Sequence, residues 1–105
     1  GMMNSGARIS FAKKRGGYYV STPHSSVRAG DTITVGFLAG DGHTVADYVA
    51  AYEAGSNKFL QAVETKGQPQ GTMTFQFVIP GKYFFKYLVS PCEERARSRQ
   101  IEVSP

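Results

Sequence analysis

An all-β, antiparallel sandwich of seven to eight strands is the fold class this sequence predicts, on three observations. Apolar residues recur with a period of two in three separate segments, as in strands with one face buried. Turn-forming residues punctuate nearly every gap between apolar runs, at intervals of about 8–12 residues. Six Tyr and seven Phe in 105 residues, with no Trp, supply the bulky side chains that a two-layer core needs.

The three clear strands come first. Thr32 to Leu38 alternates, with Ile33, Val35 and Phe37 on one face and Thr32 and Thr34 on the other. Thr72 to Ile79 sets Met73, Phe75, Phe77 and Ile79 against Thr72, Thr74 and Gln76. Lys82 to Val89 puts Tyr83, Phe85, Tyr87 and Val89 on one face and Lys82, Phe84, Lys86 and Leu88 on the other. That second face is mixed, which predicts a central position in its sheet. Phe75, Phe77, Tyr83 and Phe85 are expected in the core. Weaker strands are expected at Arg8–Lys13, Asp47–Ala54, Phe59–Thr65 and Arg99–Val103.

Turns separate them: Gly16-Gly17, Gly30-Asp31, Gly40-Asp41-Gly42, Gly55-Ser56-Asn57, Lys66-Gly67-Gln68-Pro69 and Pro80-Gly81. The short Pro80-Gly81 link predicts that the strands on either side of it are antiparallel neighbours. Val45–Ala54 has two readings, since Ala and Glu favour helix while Val and Tyr favour strand. Strand is preferred because every confident neighbour is β. Gly1 ahead of Met2 has the look of an expression-tag scar, so residues 1–6 are read as scar and lead-in and 7–105 as one domain. Whether that domain is a whole protein or part of one stays open. Seven or eight short strands in about 100 residues are what an immunoglobulin-like sandwich requires.

Several segments, in order, resemble the SKICH domain, an immunoglobulin-like module. Arg8-Ile9-Ser10-Phe11 is similar to its opening strand, and Tyr18-Tyr19 followed by Ala29–Val35 to its aromatic and Gly-Asp pattern. Ala46-Asp47-Tyr48-Val49-Ala50-Ala51-Tyr52-Glu53-Ala54-Gly55 resembles its signature, with Tyr48 where the family has Trp. Gly81 to Leu88 and then Ala96-Arg97-Ser98 resemble its closing hairpin, although the link Ser90–Ser98 carries more charge than the family pattern. The resemblance implies a non-catalytic module that targets its host to membranes or to protein partners.

The chemistry of the chain agrees with that implication. His24 and His43 stand alone in loops, without the Cys, Asp or Glu spacing that a metal site needs. Gly40-Asp41-Gly42 is a turn, not a phosphate loop opening a helix. No nucleophile elbow or pair of carboxylates marks an active site, so neither enzyme activity nor a cofactor is expected. Cys92 is a single thiol, expected reduced in a cytoplasmic protein. Asp47, opening a strand, is expected to cap a loop by accepting backbone N–H bonds.

Charge gives the remaining lead. Twelve Lys and Arg against eight acids leave a net charge of +4. One cluster is Arg8, Lys13, Lys14 and Arg15; the other is Lys82, Lys86, Arg95, Arg97 and Arg99. The second cluster is the candidate partner-binding site. On an extended backbone Arg95, Arg97 and Arg99 share one face, which also holds Ile101 and Val103 of the core. The chain must therefore bulge or leave the sheet before Arg99. Glu93 and Glu94 are the internal anions that would offset these cations. A protein partner is the first expectation and an anionic membrane surface the alternative. Nucleic acid ranks last, because no exposed aromatics are interleaved with the basic residues.

Overall fold

The computed structural model describes residues 17–105. The expected strand Arg8–Lys13 and the first basic cluster lie outside the described residues. Within them the protein is an immunoglobulin-like β-sandwich of nine strands and no helix. The strands are β1 (Tyr19–Ser21), β2 (Ser26–Arg28), β3 (Thr32–Leu38), β4 (Tyr48–Glu53), β5 (Phe59–Glu64), β6 (Gln70–Gln76), β7 (Gly81–Val89), β8 (Glu93–Arg97) and β9 (Ile101–Ser104). Three of them are not among the expected strands. β1 and β2 have only three residues each, too few to show a period, and β8 is so charged that its segment reads as a loop.

The smaller sheet has the order β1-β3-β6. The larger runs β2-β9-β7-β4-β5, with β8 also on β7. β7 is central, as its mixed face predicts. One of its edges carries β4, and the other is shared by β9 at Gly81–Tyr83 and β8 at Lys86–Val89. Among the described residues every pairing is antiparallel except the short β2–β9 ladder. Within the 45–54 segment Tyr48–Glu53 forms strand, because β4 sits between β5 and β7 and buries four consecutive residues, Val49 to Tyr52.

The expectation that Pro80-Gly81 joins neighbouring strands is corrected. β6 pairs with β3 in the smaller sheet, whereas β7 lies in the larger one, so residues 77–80 cross from one layer to the other. The cause is the aromatic face that both strands carry. In a hairpin the two rows would stand side by side on one surface. Here they face each other, with Phe77 stacked on Tyr83 at 3.9 Å and Phe75 against Phe85 at 4.9 Å. Each ring is thereby closed in from both sheets. Strand β6 ends at Gln76, short of the expected Ile79, and Val78 and Ile79 are exposed as the chain leaves the sheet.

Between the layers Ile33, Val35, Phe37, Val49, Ala51, Phe75, Phe77, Tyr83, Phe85, Tyr87, Ile101 and Val103 form one continuous core. Burying each large side chain is worth about 1.5–3 kcal/mol. A second, smaller cluster of Ala50, Tyr52, Phe84 and Leu88, with Tyr48 packed against it, lies on the opposite face of the larger sheet.

Candidate binding site

The outer face of the larger sheet combines aromatic rings with cations. Side chains alternate along β4 and β7, so Tyr48, Ala50 and Tyr52 share this face with Lys82, Phe84, Lys86 and Leu88. Tyr52 and Phe84 stack at 5.5 Å with their planes 22° apart. The Lys86 ammonium sits 4.3 Å from the Tyr52 ring centre, and the Arg97 guanidinium 5.1 Å from that of Phe84. Both distances fall within cation–π range.

Register brings the two cations together, since Lys86 and Arg97 are direct partners in the β7–β8 ladder. Like charges directly opposite one another repel. Glu94 offsets that repulsion by bridging them: its carboxylate is 3.2 Å from Lys86 Nζ and accepts from Arg97 Nε at 2.9 Å and from Arg97 NH2 at 3.0 Å. The hydrogen bonds from Arg97, opposed by partial burial and aided by Lys86, hold this carboxyl below the usual range.

Beside this group lies a hollow of about 470 Å³, walled by Phe84, Lys86, Arg97 and Arg99 and rimmed by Ser56 and Asn57. The rim is set by the turn after β4, where Gly55 at φ 85° allows the Ser56 N–H to return to Glu53 O at 3.0 Å. Beyond the same two rim residues, Tyr52, Lys58, Phe59 and Cys92 line a second hollow of about 670 Å³.

The five predicted site residues divide. Lys86 and Arg97 meet over the rings, and Lys82 stands exposed on the same face. Arg95 sits at the bulge in the β7–β8 ladder, bonds Glu93 at 2.8 Å and lies beside the Tyr18 hydroxyl, away from Phe84. Arg99 lies past the end of β8, where the chain leaves the sheet. Ser98 marks that departure: its N–H donates to Phe85 O and its Oγ accepts from Phe85 N–H at 2.9 Å. The Arg99 guanidinium then reaches the carbonyls of Thr22, Pro23 and His24 at 3.3–3.4 Å, pinning the β1–β2 loop. The sequence thus predicts the break before Arg99 and the internal anions. It does not pick out Tyr52, Ser56 or Asn57, although Tyr48 and Tyr52 share parity with Ala50 and so with the outer face.

Asp47 caps a loop, and does so inside the protein. Fully buried, it accepts from Thr44 N–H and Thr44 Oγ1, both at 3.1 Å, and from the Tyr87 hydroxyl at 2.7 Å. Burial first, and the bond to Asp47 next, push the Tyr87 phenol well above its ordinary pKa. The two histidines bond elsewhere: His43 Nδ1 lies 3.0 Å from Gly40 O, and the His24 backbone N–H donates to Thr22 Oγ1. Among the described residues, no three His, Cys, Asp or Glu side chains gather where they could hold a metal ion.

No family model matches this chain, and no curated protein is similar to it. Solved structures are. A superoxide reductase (neelaredoxin) from Ignicoccus hospitalis is 17% identical over 84% of this chain and 80% of its own, with a TM-score of 0.51. A single-residue variant of that protein gives 16% identity over 86% and 82%, at 0.53. The human OSCAR ligand-binding domain is 19% identical over 85% of this chain and 47% of its own, at 0.47. At these identities the neelaredoxin likeness carries the two-sheet fold and nothing of the activity.

Proposed function

We propose that this domain is a non-catalytic binding module that holds an acidic segment of a protein partner against the outer face of its larger sheet. The observation that carries the reading is Glu94. It already occupies Lys86 and Arg97 as a carboxylate would, over a floor of Tyr52 and Phe84. A second carboxylate entering from the hollow would find the same cations, with Ser56 and Asn57 as further hydrogen-bonding groups at the rim. Aromatic surface and arginine are what protein-recognition sites favour. The resemblance to SKICH modules supports the same non-catalytic reading. The exposed single thiol, Cys92, supports a cytoplasmic setting.

The test is fluorescence anisotropy with an array of acidic peptides, with and without aromatic residues, on wild type, Arg97→Glu and Arg95→Glu. Arg97→Glu should weaken binding at least about tenfold, equivalent to roughly 1.4 kcal/mol. Arg95→Glu should leave it unchanged, because Arg95 lies away from the rings. Binding to anionic vesicles that fades steeply with salt, with no peptide bound, would replace this reading by the membrane-surface one.

A further inference from the structure

Exposed apolar surface lies elsewhere among the described residues, beside β5 at one end of the larger sheet. Five large apolar side chains are exposed among the described residues: Val45, Phe59, Leu60, Val78 and Ile79. Three of them gather at one place: Leu60, Val78 and Ile79 border a groove of about 230 Å³ floored by Phe77 and Tyr83. Among the described residues strand β5 pairs only with β4, and no described strand lies along its other edge. An unpaired edge beside exposed apolar residues is a template for another strand.

The sequence of that edge is complementary to itself. Lys58 stands at its start and Glu64 at its end, both exposed, and between them run Phe59, Leu60, Gln61, Ala62 and Val63. When two such strands run antiparallel about a two-fold axis, the cationic end of each meets the anionic end of the other, and the apolar middles coincide. Leu60 is an extra residue in the β4–β5 ladder, where Ala51 pairs with Gln61 but Tyr52 with Phe59. That bulge blunts one end of the edge and leaves Gln61–Glu64 as its regular stretch, while turning Leu60 toward Val78 and Ile79.

We propose that a second copy of this chain docks there, β5 against β5, joining two larger sheets into one continuous sheet and covering Leu60, Val78 and Ile79. The occupant is a second copy because the charges at the two ends of β5 oppose each other only in the antiparallel, two-fold arrangement.

Sedimentation velocity from about 1 µM to a few hundred µM should show a concentration-dependent dimer, as expected for a short interface of modest affinity. Lys58→Glu alone and Glu64→Lys alone should each raise the dissociation constant at least about tenfold by setting like charges at both ends. An equimolar mixture of the two variants should recover dimerisation as a heterodimer, because both end pairs are then attractive. Leu60→Asp should abolish the dimer, with the circular dichroism spectrum unchanged since Leu60 is already half exposed. A chain monomeric throughout the range overturns the proposal, as does a dimer indifferent to the charge exchange. A monomer that instead captures an extended apolar peptide on β5 overturns self-pairing in favour of a partner's strand.

Discussion

The two faces of strand β7 both bury aromatic rings, and they cover them by different means. Inward, Tyr83, Phe85 and Tyr87 meet Phe75, Phe77 and Phe37 of the other sheet, and apolar surface covers apolar surface. Outward, no second sheet lies above Phe84 among the described residues. It is covered by Tyr52 from the side and by the cations Lys86 and Arg97 from above, and its exposure falls to 7% all the same. A long cationic side chain can lay its methylene stem along an aromatic ring and keep its head in water. The lesson is that burial alone does not distinguish a core from a recognition surface. What covers the ring does, because a side chain can be displaced by a partner and a sheet cannot.

The sharpest break of this comparison is a pair of truncations. Phe85→Ala removes a fully buried ring between two sheets and should cost about 3–5 kcal/mol. Phe84→Ala should cost less, about 2 kcal/mol, because Lys86 and Arg97 can settle into the space and the rest is lost transfer energy. Equal shifts of the urea midpoint would mean that the outer cluster is a second core. Between these two in size falls Asp47→Ala, which strands the Tyr87 hydroxyl and the Thr44 N–H; it should cost about 2–3 kcal/mol, and Tyr87→Phe somewhat less. Lys86→Met, which keeps the stem and drops the charge, should move stability by less than about 1 kcal/mol. The same change should weaken acidic-peptide binding, and that contrast separates a recognition surface from a structural one.

How far the sequence could be read follows the same division. Thr32–Leu38 was legible to the residue, and the inward rows of β6 and β7 were legible as rows, because a period of two reports burial on one side. The partner of each row was not legible. The segment Phe77–Gly81 is compatible both with a hairpin and with a crossing between layers, and only the opposing aromatic rows decide. β8 was hidden because its pairing to β7 is stabilised by ion pairs and backbone bonds, with no apolar alternation to show it. For the site, Lys86 and Arg97 were named as two of five cations. Their separation from Arg99 follows from the break that the shared parity with Ile101 and Val103 demands, whereas their separation from Arg95 depends on a bulge that leaves no mark on the charge pattern. Tyr52 was hidden in plain view, since the alternation that assigns it to the outer face reads equally well as core of a central strand.

The smallest expected effect is also the one that isolates Glu94. Its folded-state pKa lies below the ordinary 4.5, chiefly through Arg97, so the ionised carboxylate stabilises the fold. That contribution is complete above the unfolded value and fades as the pH falls through the folded one; Arg97 keeps its charge throughout. Wild type alone would not separate this contribution from that of the rest of the chain. Glu94→Gln keeps the shape and removes the charge, and the difference between the two urea midpoints cancels the background. That difference should be constant from about pH 7 down to about pH 5 and shrink from there toward pH 3, at low salt more than at high. Parallel curves down to pH 3 would mean that the bridge to Lys86 and Arg97 adds nothing to the fold. In that event Glu94 would hold the two cations too weakly to stand in for a partner's carboxylate, and the aromatic floor, not the charge, would have to carry recognition on this face.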